Sequence, residues 1–315
     1  MISVLIGFAL LLLLAWILRG LLHRGLAPER VVETGTPANV GLPYREVRLA
    51  ANNGKTLSGW YLPPAAPGRA PAVAVLHGWG GNAEMMLPLA RPLHDAGFAV
   101  LLFDARCHGR SDADSFSSMP RFAEDLAHAL DWLAAQPDVD AGRICIVGHS
   151  VGAAASLLLA SRRDGLAAVV SLAAFAHPRS MMQRWLTAKG LPWQPVGRLI
   201  LRYVEHVIGH RFDDIAPVTT IGKVRCPTLL VHGSDDATVP AEEASRIYAA
   251  RGGEHVRLKI IAGGHDDFGS ESDIAGEIAE VVQFLQRSAG SSCGGESRAA
   301  TVGGNRMLDS ANIPI

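Results

Sequence analysis

The chain has 315 residues, of which 49% are hydrophobic and 19% are charged. This length is sufficient for a large buried core in one or two domains. The 29 basic and 30 acidic side chains nearly cancel, so no overall positive field favours nucleic acid as a partner. The four cysteines lack the spacing of a zinc site or a disulfide framework, which is compatible with a reducing compartment.

The N-terminal segment is apolar. Residues 2–18 contain no charged side chain, and two further leucines can extend them to the length of a membrane-spanning helix. A basic leader region and a small-residue cleavage site are missing, so we predict an uncleaved single-pass anchor over residues 1–23. Three arginines follow this segment, and no basic residue precedes it: Arg19, Arg24 and Arg30. The positive-inside rule therefore predicts that the remainder of the chain is cytoplasmic.

The next segments predict the architecture. Residues 24–43 are rich in proline and glycine and are interpreted as a linker. Two alternating apolar segments, 44–50 and 57–62, flank Asn-Asn-Gly and predict a β-hairpin. Short apolar runs then alternate with helix-like stretches: 72–77, 98–103, 143–148, 166–172, 227–232 and 256–262. Near-continuous apolar strands between helices predict an α/β fold with a mostly parallel, doubly wound sheet.

Residues 176–222 interrupt this alternation. They are too long for a simple connection and contain helical apolar stretches, so we predict a small helical cap over the carboxyl edge of the sheet. Trp185 and Trp193 would form either the core of the cap or an apolar acyl pocket. Residues 288–315 are rich in small and polar residues without periodicity, which predicts a disordered tail. The main domain would then occupy residues 44–287.

The peptide "GHSVG" points to chemistry. Gly148, Ser150 and Gly152 stand where an apolar strand changes to helical spacing. Gly-x-Ser-x-Gly at such a junction is typical of a nucleophile elbow, a strained turn that lifts the serine hydroxyl above the sheet. Side chains at the two glycine positions would strike the neighbouring strand and helix. We therefore predict that Ser150 is a nucleophile.

A nucleophilic serine needs a base, and in this architecture the partners follow in the order serine, acid, histidine. His265 follows the last predicted strand behind two glycines, which makes it the candidate base. Asp235 and Asp236 follow the preceding strand, and their position alone leaves both open as the acid. His149 adjoins the serine, and we expect its side chain to point away at the elbow.

A tetrahedral intermediate also needs donors for its oxyanion. The peptide "LHGWGGNAE" follows a strand and opens a helix, and its glycines allow a tight turn. We predict that the backbone N–H groups of Trp79 and Val151 form this oxyanion hole.

Other chemistries have weaker support. His206 and His210 are four residues apart, a spacing that can bind zinc, but a third ligand is not evident. The sequence contains neither a dinucleotide-binding nor a phosphate-loop fingerprint. A serine at the elbow argues against dehalogenase or epoxide-hydrolase chemistry, which would use a carboxylate there. We therefore predict no metal and no cofactor.

These peptides, together with "FDARCHGRSD", resemble the α/β-hydrolase superfamily, especially its serine-aminopeptidase-like, lysophospholipase-type branch and membrane-anchored members. The resemblance covers roughly residues 44–287. Such proteins usually carry Asp-x-Arg-Gly-His-Gly, and Cys107 occupies the glycine position here. Matching the pattern His-Gly-x-x-Asp-x-x-Val-Pro implies Asp236 as the acid, beside Ser150 as the nucleophile and His265 as the base.

The resemblance implies a membrane-anchored serine hydrolase that cleaves carboxylic or acyl (thio)esters through an acyl-enzyme intermediate. Its substrates would be small-molecule or lipid-like acyl esters. Two alternatives remain open: a serine aminopeptidase, which needs an acidic or carbonyl group to hold a free amine, and a catalytically silent binding or scaffold protein on the same fold. The sequence does not specify the oligomeric state.

Overall fold

One sheet organises the part of the chain that the structure, a computed structural model, describes: residues 2–267 and 272–291. Its strands are β1 (Arg45–Ala50), β2 (Thr56–Leu62), β3 (Ala70–Leu76), β4 (Ala99–Phe103), β5 (Val139–His149), β6 (Ala168–Leu172), β7 (Thr228–Gly233) and β8 (Val256–Ile261). Their spatial order is β1-β2-β4-β3-β5-β6-β7-β8. The pairs β1–β2 and β2–β4 are antiparallel, and the pairs from β4 to β8 are parallel. The predicted hairpin and mostly parallel sheet are confirmed.

Both faces of the sheet are buried, which explains the near-continuous apolar runs of its strands. In β3, Ala74 and Leu76 enter the hydrophobic cluster on one face, whereas Val73 and Val75 enter the cluster on the other. This alternation follows from the period of two residues in a β-strand.

Helices cover both faces of the sheet. The helices are α1 (Ile2–Gly25), α2 (Leu87–Asp95), α3 (Met119–Ala134), α4 (Val151–Ala160), α5 (Pro178–Ala188), α6 (Arg198–Ile208), α7 (Phe212–Ile215), α8 (Pro217–Thr220), α9 (Glu242–Ala249) and α10 (Ser272–Ser291). Leu126 of α3 and Leu158 of α4 belong to one hydrophobic cluster, and Leu93 of α2 and Leu285 of α10 belong to the other. The sheet is therefore doubly wound, as predicted.

Residues 176–222, the predicted cap, contain α5 to α8 and an irregular turn at Trp193–Gly197. In α6, Leu201 and Val204 are buried in the same cluster as α3 and α4, while Leu199 on the other side is exposed. α6 ends at Ile208 and is followed by Gly209, whose φ of 72° is the left-handed conformation that commonly terminates helices.

The N-terminal helix α1 contains the apolar segment. Among the described residues, the structure contains no helix with both the length and the apolarity required to cross a membrane. The predicted membrane-spanning anchor over residues 1–23 is therefore not confirmed.

Residues 24–43, predicted as a linker, lie against the α/β domain. The guanidinium of Arg30 donates hydrogen bonds to the carbonyls of Gly109 at 3.0 Å and Ser111 at 2.8 Å. Glu33 and Leu42 are buried. These contacts pack residues 24–43 against the domain, so the segment is part of the folded structure.

The C-terminal boundary also differs from the prediction. α10 continues to Ser291, and Leu285 and Ala289 of this helix are buried in the core. The predicted disordered tail therefore begins too early at residue 288, because residues 288–291 belong to the helix. The rest of that prediction, residues 292–315, lies outside the described residues.

Candidate active site

Ser150 lies in a sharp turn between β5 and α4. Its φ of 52° and ψ of −115° are rare for an L-residue, and such backbone strain costs about 1–3 kcal/mol. The Ser150 N–H donates to the carbonyl of Leu172 on β6 at 2.8 Å, and the Ser150 carbonyl accepts from Ala154 of α4 at 3.0 Å. These two hydrogen bonds secure the turn to the neighbouring strand and the following helix.

Gly148 and Gly152 permit close packing at this turn. A Cβ on Gly148 would lie 2.5 Å from Oγ of Ser156, and a Cβ on Gly152 would lie 2.6 Å from the carbonyl oxygen of Leu76. Both distances are far inside van der Waals contact, so a side chain at either position would displace α4 from the sheet. The structural reason predicted for the two glycines therefore matches the observed packing.

His265 lies between Ser150 and Asp236. Its Nε2 is 3.0 Å from the Ser150 Oγ, and its Nδ1 is 2.7 Å from Oδ2 of Asp236. The other carboxylate oxygen of Asp236 accepts the N–H groups of Thr238 at 2.9 Å and Val239 at 2.7 Å. The structure thus brings the three predicted residues into one chain of hydrogen bonds, with the carboxylate held by its own loop.

Asp235 has a different environment. Its N–H donates to the carbonyl of Gly263 at 2.9 Å, and its carboxylate accepts from the hydroxyl of Ser234 at 2.9 Å. Asp235 therefore joins the loop after β7 to the loop that carries His265, while Asp236 contacts the imidazole itself.

Two backbone N–H groups beside Ser150 are available to a ligand. Within the described part of the chain, the Trp79 N–H donates to no backbone acceptor, and Val151 is the first residue of α4, where the N–H groups have no partner inside the helix. The loop of Trp79 passes close to the serine, since a Cβ on Gly78 would lie 3.1 Å from the Cβ of Ser150. Gly80, with a φ of 74°, allows the tight turn of this loop. Such donors can stabilise a negative oxygen that develops on a substrate carbonyl.

The buried side chain of His77 holds the Trp79 loop in place through hydrogen bonds. Its Nδ1 donates to the carbonyl of Gly78 at 2.7 Å, and its Nε2 accepts the N–H of Ala105 at 3.0 Å. Burial lowers the pKa of His77 to about 4, so the ring is neutral near pH 7 and one nitrogen remains an acceptor. His77 therefore connects the Trp79 loop to the loop after β4.

His149 lies closer to the candidate base than expected. Its Nε2 is 2.9 Å from the backbone carbonyl of His265, and the two ring centroids are 5.0 Å apart. Burial is the largest of the effects that lower the pKa of His149. The expectation that this side chain points away from the site is wrong, because the loop of His265 folds over it.

His232 is a second supporting histidine. It is fully buried, and its Nε2 lies 2.7 Å from the carbonyl of Val239 and 3.2 Å from Oδ2 of Asp236. Its position within the pattern His-Gly-x-x-Asp was visible in the sequence, but its contact with the carboxylate depends on how the loop after β7 closes.

A cavity of about 820 Å³ opens beside Ser150, between the Trp79 loop, the start of α3 and the cap. Trp185 lines this cavity and is 47% exposed, whereas Trp193 packs against the hydrophobic core. Trp193 therefore contributes to the packing of the cap on the core, whereas Trp185 contributes to the wall of the cavity.

The structure does not assign a metal to this site. Among the described residues, the side chains close enough to share an ion are those of His149, His265 and Asp266. Both ring nitrogens of His265 are already within hydrogen-bond distance of Ser150 and Asp236. His206 and His210, whose spacing could suit zinc, are not part of this group.

Proteins of the α/β-hydrolase fold combine such a sheet with a nucleophile at the turn after its central strand, and the present chain has this fold. Residues 68–210 match the family model described as "Serine aminopeptidase, S33". The chain is 35% identical over 224 residues to the uncharacterized protein Rv2307c of Mycobacterium tuberculosis, which covers 71% of this chain and 73% of that protein. It is 27% identical over 246 residues to the uncharacterized protein YfhR of Escherichia coli, covering 76% and 79% of the two chains. The chain belongs to the serine aminopeptidase-like family of α/β-hydrolases, and it is a hydrolase.

Solved structures support the same fold. The esterase Pf2001 of Pyrococcus furiosus superposes with a TM-score of 0.67 at 23% identity, covering 83% of this chain and 98% of that chain.

Proposed function

We propose that the protein is a serine hydrolase that cleaves carboxylic or acyl (thio)esters through a covalent acyl-enzyme. The observation that carries this proposal is the pair of short distances from His265 to Ser150 (3.0 Å) and to Asp236 (2.7 Å) beside an apolar cavity. This geometry suits a base that is oriented by a carboxylate and accepts the proton of the serine.

In the proposed reaction, His265 takes the proton of Ser150 as the serine oxygen attacks the substrate carbonyl. Asp236 keeps the Nδ1–H of the imidazole in place and stabilises the imidazolium. The N–H groups of Trp79 and Val151 stabilise the oxyanion. The imidazolium then gives its proton to the departing alcohol or thiol, which leaves the acyl group on Ser150. A water molecule, deprotonated in turn by His265, releases the acid and restores the serine.

The cavity supports an ester more than a peptide with a free amino terminus. Among the described residues that line it, Asp266 is the one side chain with a carboxylate. That side chain is 83% exposed, and an ion pair with a substrate ammonium in such a position would be worth little. An aminopeptidase needs a stronger partner for the amine.

The replacement Ser150→Ala tests the nucleophile. We expect a loss of about 10⁶ in kcat on p-nitrophenyl esters, as for other serine hydrolases, while circular dichroism shows a retained fold. A fluorophosphonate probe should label the wild-type protein at Ser150 and not the variant.

Two results would favour the alternatives. Faster cleavage of aminoacyl-anilides than of esters would indicate an aminopeptidase. A folded wild-type protein that neither reacts with the probe nor cleaves any ester would indicate a binding protein.

We also propose that α1 attaches the hydrolase to a membrane, with the catalytic domain on the cytoplasmic side. Residues 2–18 carry no charge, and Phe8, Leu12 and Trp16 of this segment are more than half exposed. Basic residues follow the segment, where they can contact the anionic lipids of the cytoplasmic leaflet. The full chain should sediment with membranes, a chain lacking residues 2–18 should not, and a cytoplasm-specific reporter fused after Ile315 should be active. A soluble full chain, or activity of a periplasm-specific reporter instead, would contradict this proposal.

A further inference from the structure

Methionine is concentrated on the wall of the cavity beside Ser150. The chain contains seven methionines. Five of them line the cavity: Met85, Met86, Met119, Met181 and Met182. Methionine is uncommon in this chain, so a high overall methionine content does not explain why five of the seven lie at one cavity.

These methionines come from separate elements of the fold. Met85 and Met86 lie in the turn Ala83–Met86 after β3, Met119 begins α3, and the remaining two belong to α5 of the cap. Met86 and Met119 are 5% and 7% exposed, whereas Met85 is 59% exposed. The set therefore extends from buried parts of the wall to its solvent-facing rim.

Much of the remaining wall is apolar and consists of side chains with fewer rotatable bonds than methionine. It includes branched and aromatic side chains: Leu89, Phe175, Val204, Ile208, Phe212 and Ile215. Among the described lining residues there is no lysine, arginine or glutamate, and the carboxylate of Asp266 is exposed to solvent. The buried polar side chains of the wall are uncharged serines and histidines, such as Ser117, Ser118 and His149, so a charged group would find no buried partner of opposite charge among the described lining residues. The chemistry therefore favours an uncharged, largely apolar occupant.

Methionine changes what such a wall can accept. Its side chain is unbranched, with three rotatable bonds and a polarizable sulfur, so it adapts to ligands of different shape. Leucine of similar volume is restricted to fewer rotamers. Flexible side chains on the sheet side and on the cap side of the cavity can therefore re-pack around chains that differ in length or branching.

Building on the proposed function, we infer that this cavity holds the acyl chain of the substrate, and that its methionines allow long apolar acyl chains of different length and shape. The volume of about 820 Å³ lies within the range of about 300–1,000 Å³ for ligand pockets and is larger than an acetyl group needs. Each methylene that the cavity buries should improve binding about fourfold until the chain reaches the rim.

The first experiment measures kcat/KM of the full-length protein on p-nitrophenyl esters with straight acyl chains from acetate to hexadecanoate, and with branched and cyclic acyl groups. We expect kcat/KM to rise with chain length and to differ little between straight and branched chains of equal size. Cleavage of acetate in preference to octanoate and longer chains would overturn the inference and leave the proposed hydrolase intact.

The second experiment replaces three of the cavity methionines with leucine. The combined variant Met119→Leu, Met181→Leu and Met182→Leu conserves volume. We expect the ratio of kcat/KM between the best and the poorest acyl group to widen by about tenfold, because the leucines fit fewer chain shapes. Leu199→Met is the matched control, since Leu199 lies on α6, is 64% exposed and does not line the cavity. If the combined variant does not fold, the single replacement Met182→Leu is measured on the same series.

A binding assay separates this inference from the catalytic proposal. Fatty acids of increasing length should displace a fluorescent fatty-acid analogue from Ser150→Ala protein with increasing affinity. If the wild-type protein is not labelled by the fluorophosphonate, the proposed function fails, but tighter binding of longer fatty acids would still support the acyl-chain site. Equal selectivity with and without the leucine replacements, both in ester hydrolysis and in fatty-acid binding to Ser150→Ala protein, would overturn the role of the methionines.

Discussion

At the scale of single residues, backbone strain is concentrated near the carboxyl edge of the sheet. Among the described residues, the non-glycine residues with positive φ are Asn53, Cys107, Ser150 and Ala173. Ser150 follows β5, Ala173 follows β6, and Cys107 lies in the loop after β4. Hydrogen bonds to the neighbouring strand fix two of these residues. The N–H of Ser150 donates to the carbonyl of Leu172 on β6, and the N–H of Ala173 donates to the carbonyl of Val231 on β7. The strain therefore persists where the surrounding hydrogen bonds determine the backbone.

Cys107 occupies the position at which the resembling proteins carry glycine, and its φ of 70° explains why glycine suits that position. The N–H of Asp114 donates to its sulfur at 3.2 Å, which partly compensates for the strain. The replacement Cys107→Gly removes both effects, so we expect the free energy of unfolding to change by about 1 kcal/mol or less. Cys107→Ala keeps the strain and loses the sulfur contact, so it should be the less stable variant in urea unfolding. A more stable alanine variant would contradict this account of the loop.

Asp235 and Asp236, neighbours in the loop after β7, allow a matched pair of substitutions. Asp236→Asn removes the carboxylate that contacts Nδ1 of His265, and we expect a loss of about 10⁴ in kcat. Asp235→Asn changes the carboxylate that accepts from the Ser234 hydroxyl and, at 3.4 Å, from the Gly263 N–H of the neighbouring loop, and it should retain most of the activity. Ester hydrolysis by both purified variants measures the difference. If the two phenotypes are exchanged, Asp235 is the acid.

At the scale of elements, the elbow depends on how closely α4 approaches the sheet. Gly152 of α4 faces the carbonyl of Leu76 at the end of β3, and Gly148 faces the first turn of α4. The serine is therefore positioned by the contact between two strands and a helix, as well as by its own strained backbone.

Gly152→Ala should push α4 away from β3, because the added Cβ would lie 2.6 Å from the Leu76 carbonyl oxygen. We expect a destabilisation of about 1–3 kcal/mol and a large loss of esterase activity, since Ser150 would move with the helix. Gly276→Ala is the control: it lies in α10 with open space around it, and alanine there should stabilise the helix by up to about 1 kcal/mol. Thermal unfolding and kcat/KM of the two variants test the argument. A fully active Gly152→Ala protein would show that the elbow tolerates separation from β3.

At the scale of the whole molecule, the N-terminal segment is joined to the loops of the candidate site. The N–H groups of Thr34 and Gly35 donate to the carboxylate of Glu84 at 2.7 and 2.8 Å, one residue before the cavity methionines. Glu33 is buried beside Asp104, which accepts the N–H of Ala83 at 2.8 Å. The segment between α1 and β1 therefore helps to position one wall of the cavity.

The buried carboxyl group of Glu33 should make the free energy of unfolding depend on pH. Burial, together with the neighbouring Asp104 carboxyl, raises the pKa of Glu33 from 4.5 to about 7. The folded state thus keeps a proton that the unfolded state releases, so this contribution to stability is complete below about pH 4.5 and is lost as the pH rises through 7. Above pH 7 the buried carboxylate is ionised, with the guanidinium of Arg110 3.3 Å away as its ion-pair partner.

Glu33→Gln should remove this dependence, because the amide is uncharged at every pH. The melting temperature of the variant relative to wild type should therefore increase from pH 5 to pH 8. The comparison uses the difference between the two proteins because buried histidines such as His77 titrate in a neighbouring range. Glu46→Gln is the control, since Glu46 is 67% exposed and lies 3.9 Å from the same arginine. A constant difference between wild type and Glu33→Gln would contradict the raised pKa.

Much of the fold was predictable because its signals are local. Each strand is a short apolar run, and burial on both faces of a parallel sheet requires such a run. Ser150, Asp236 and His265 could be proposed together because each follows a strand, and the carboxyl ends of parallel strands meet at one edge. The close approach at Gly148 is local, because it involves Gly152 and Ser156 a few residues later. Gly152 instead approaches Leu76 of β3, and the sequence indicated it only through the Gly-x-Ser-x-Gly pattern.

The tertiary structure decided what depends on residues far apart in the chain. The position of His149 beside the His265 loop, the burial of Glu33 against Asp104, and the different environments of Trp185 and Trp193 have no local signature. The convergence of methionines from three separate elements on one cavity is of the same kind. Periodicity and spacing report which face of an element is buried, but they do not report which distant side chains meet there. Those contacts are selected by packing and by the need to pair or protonate buried polar groups, and both exist only once the whole chain is folded.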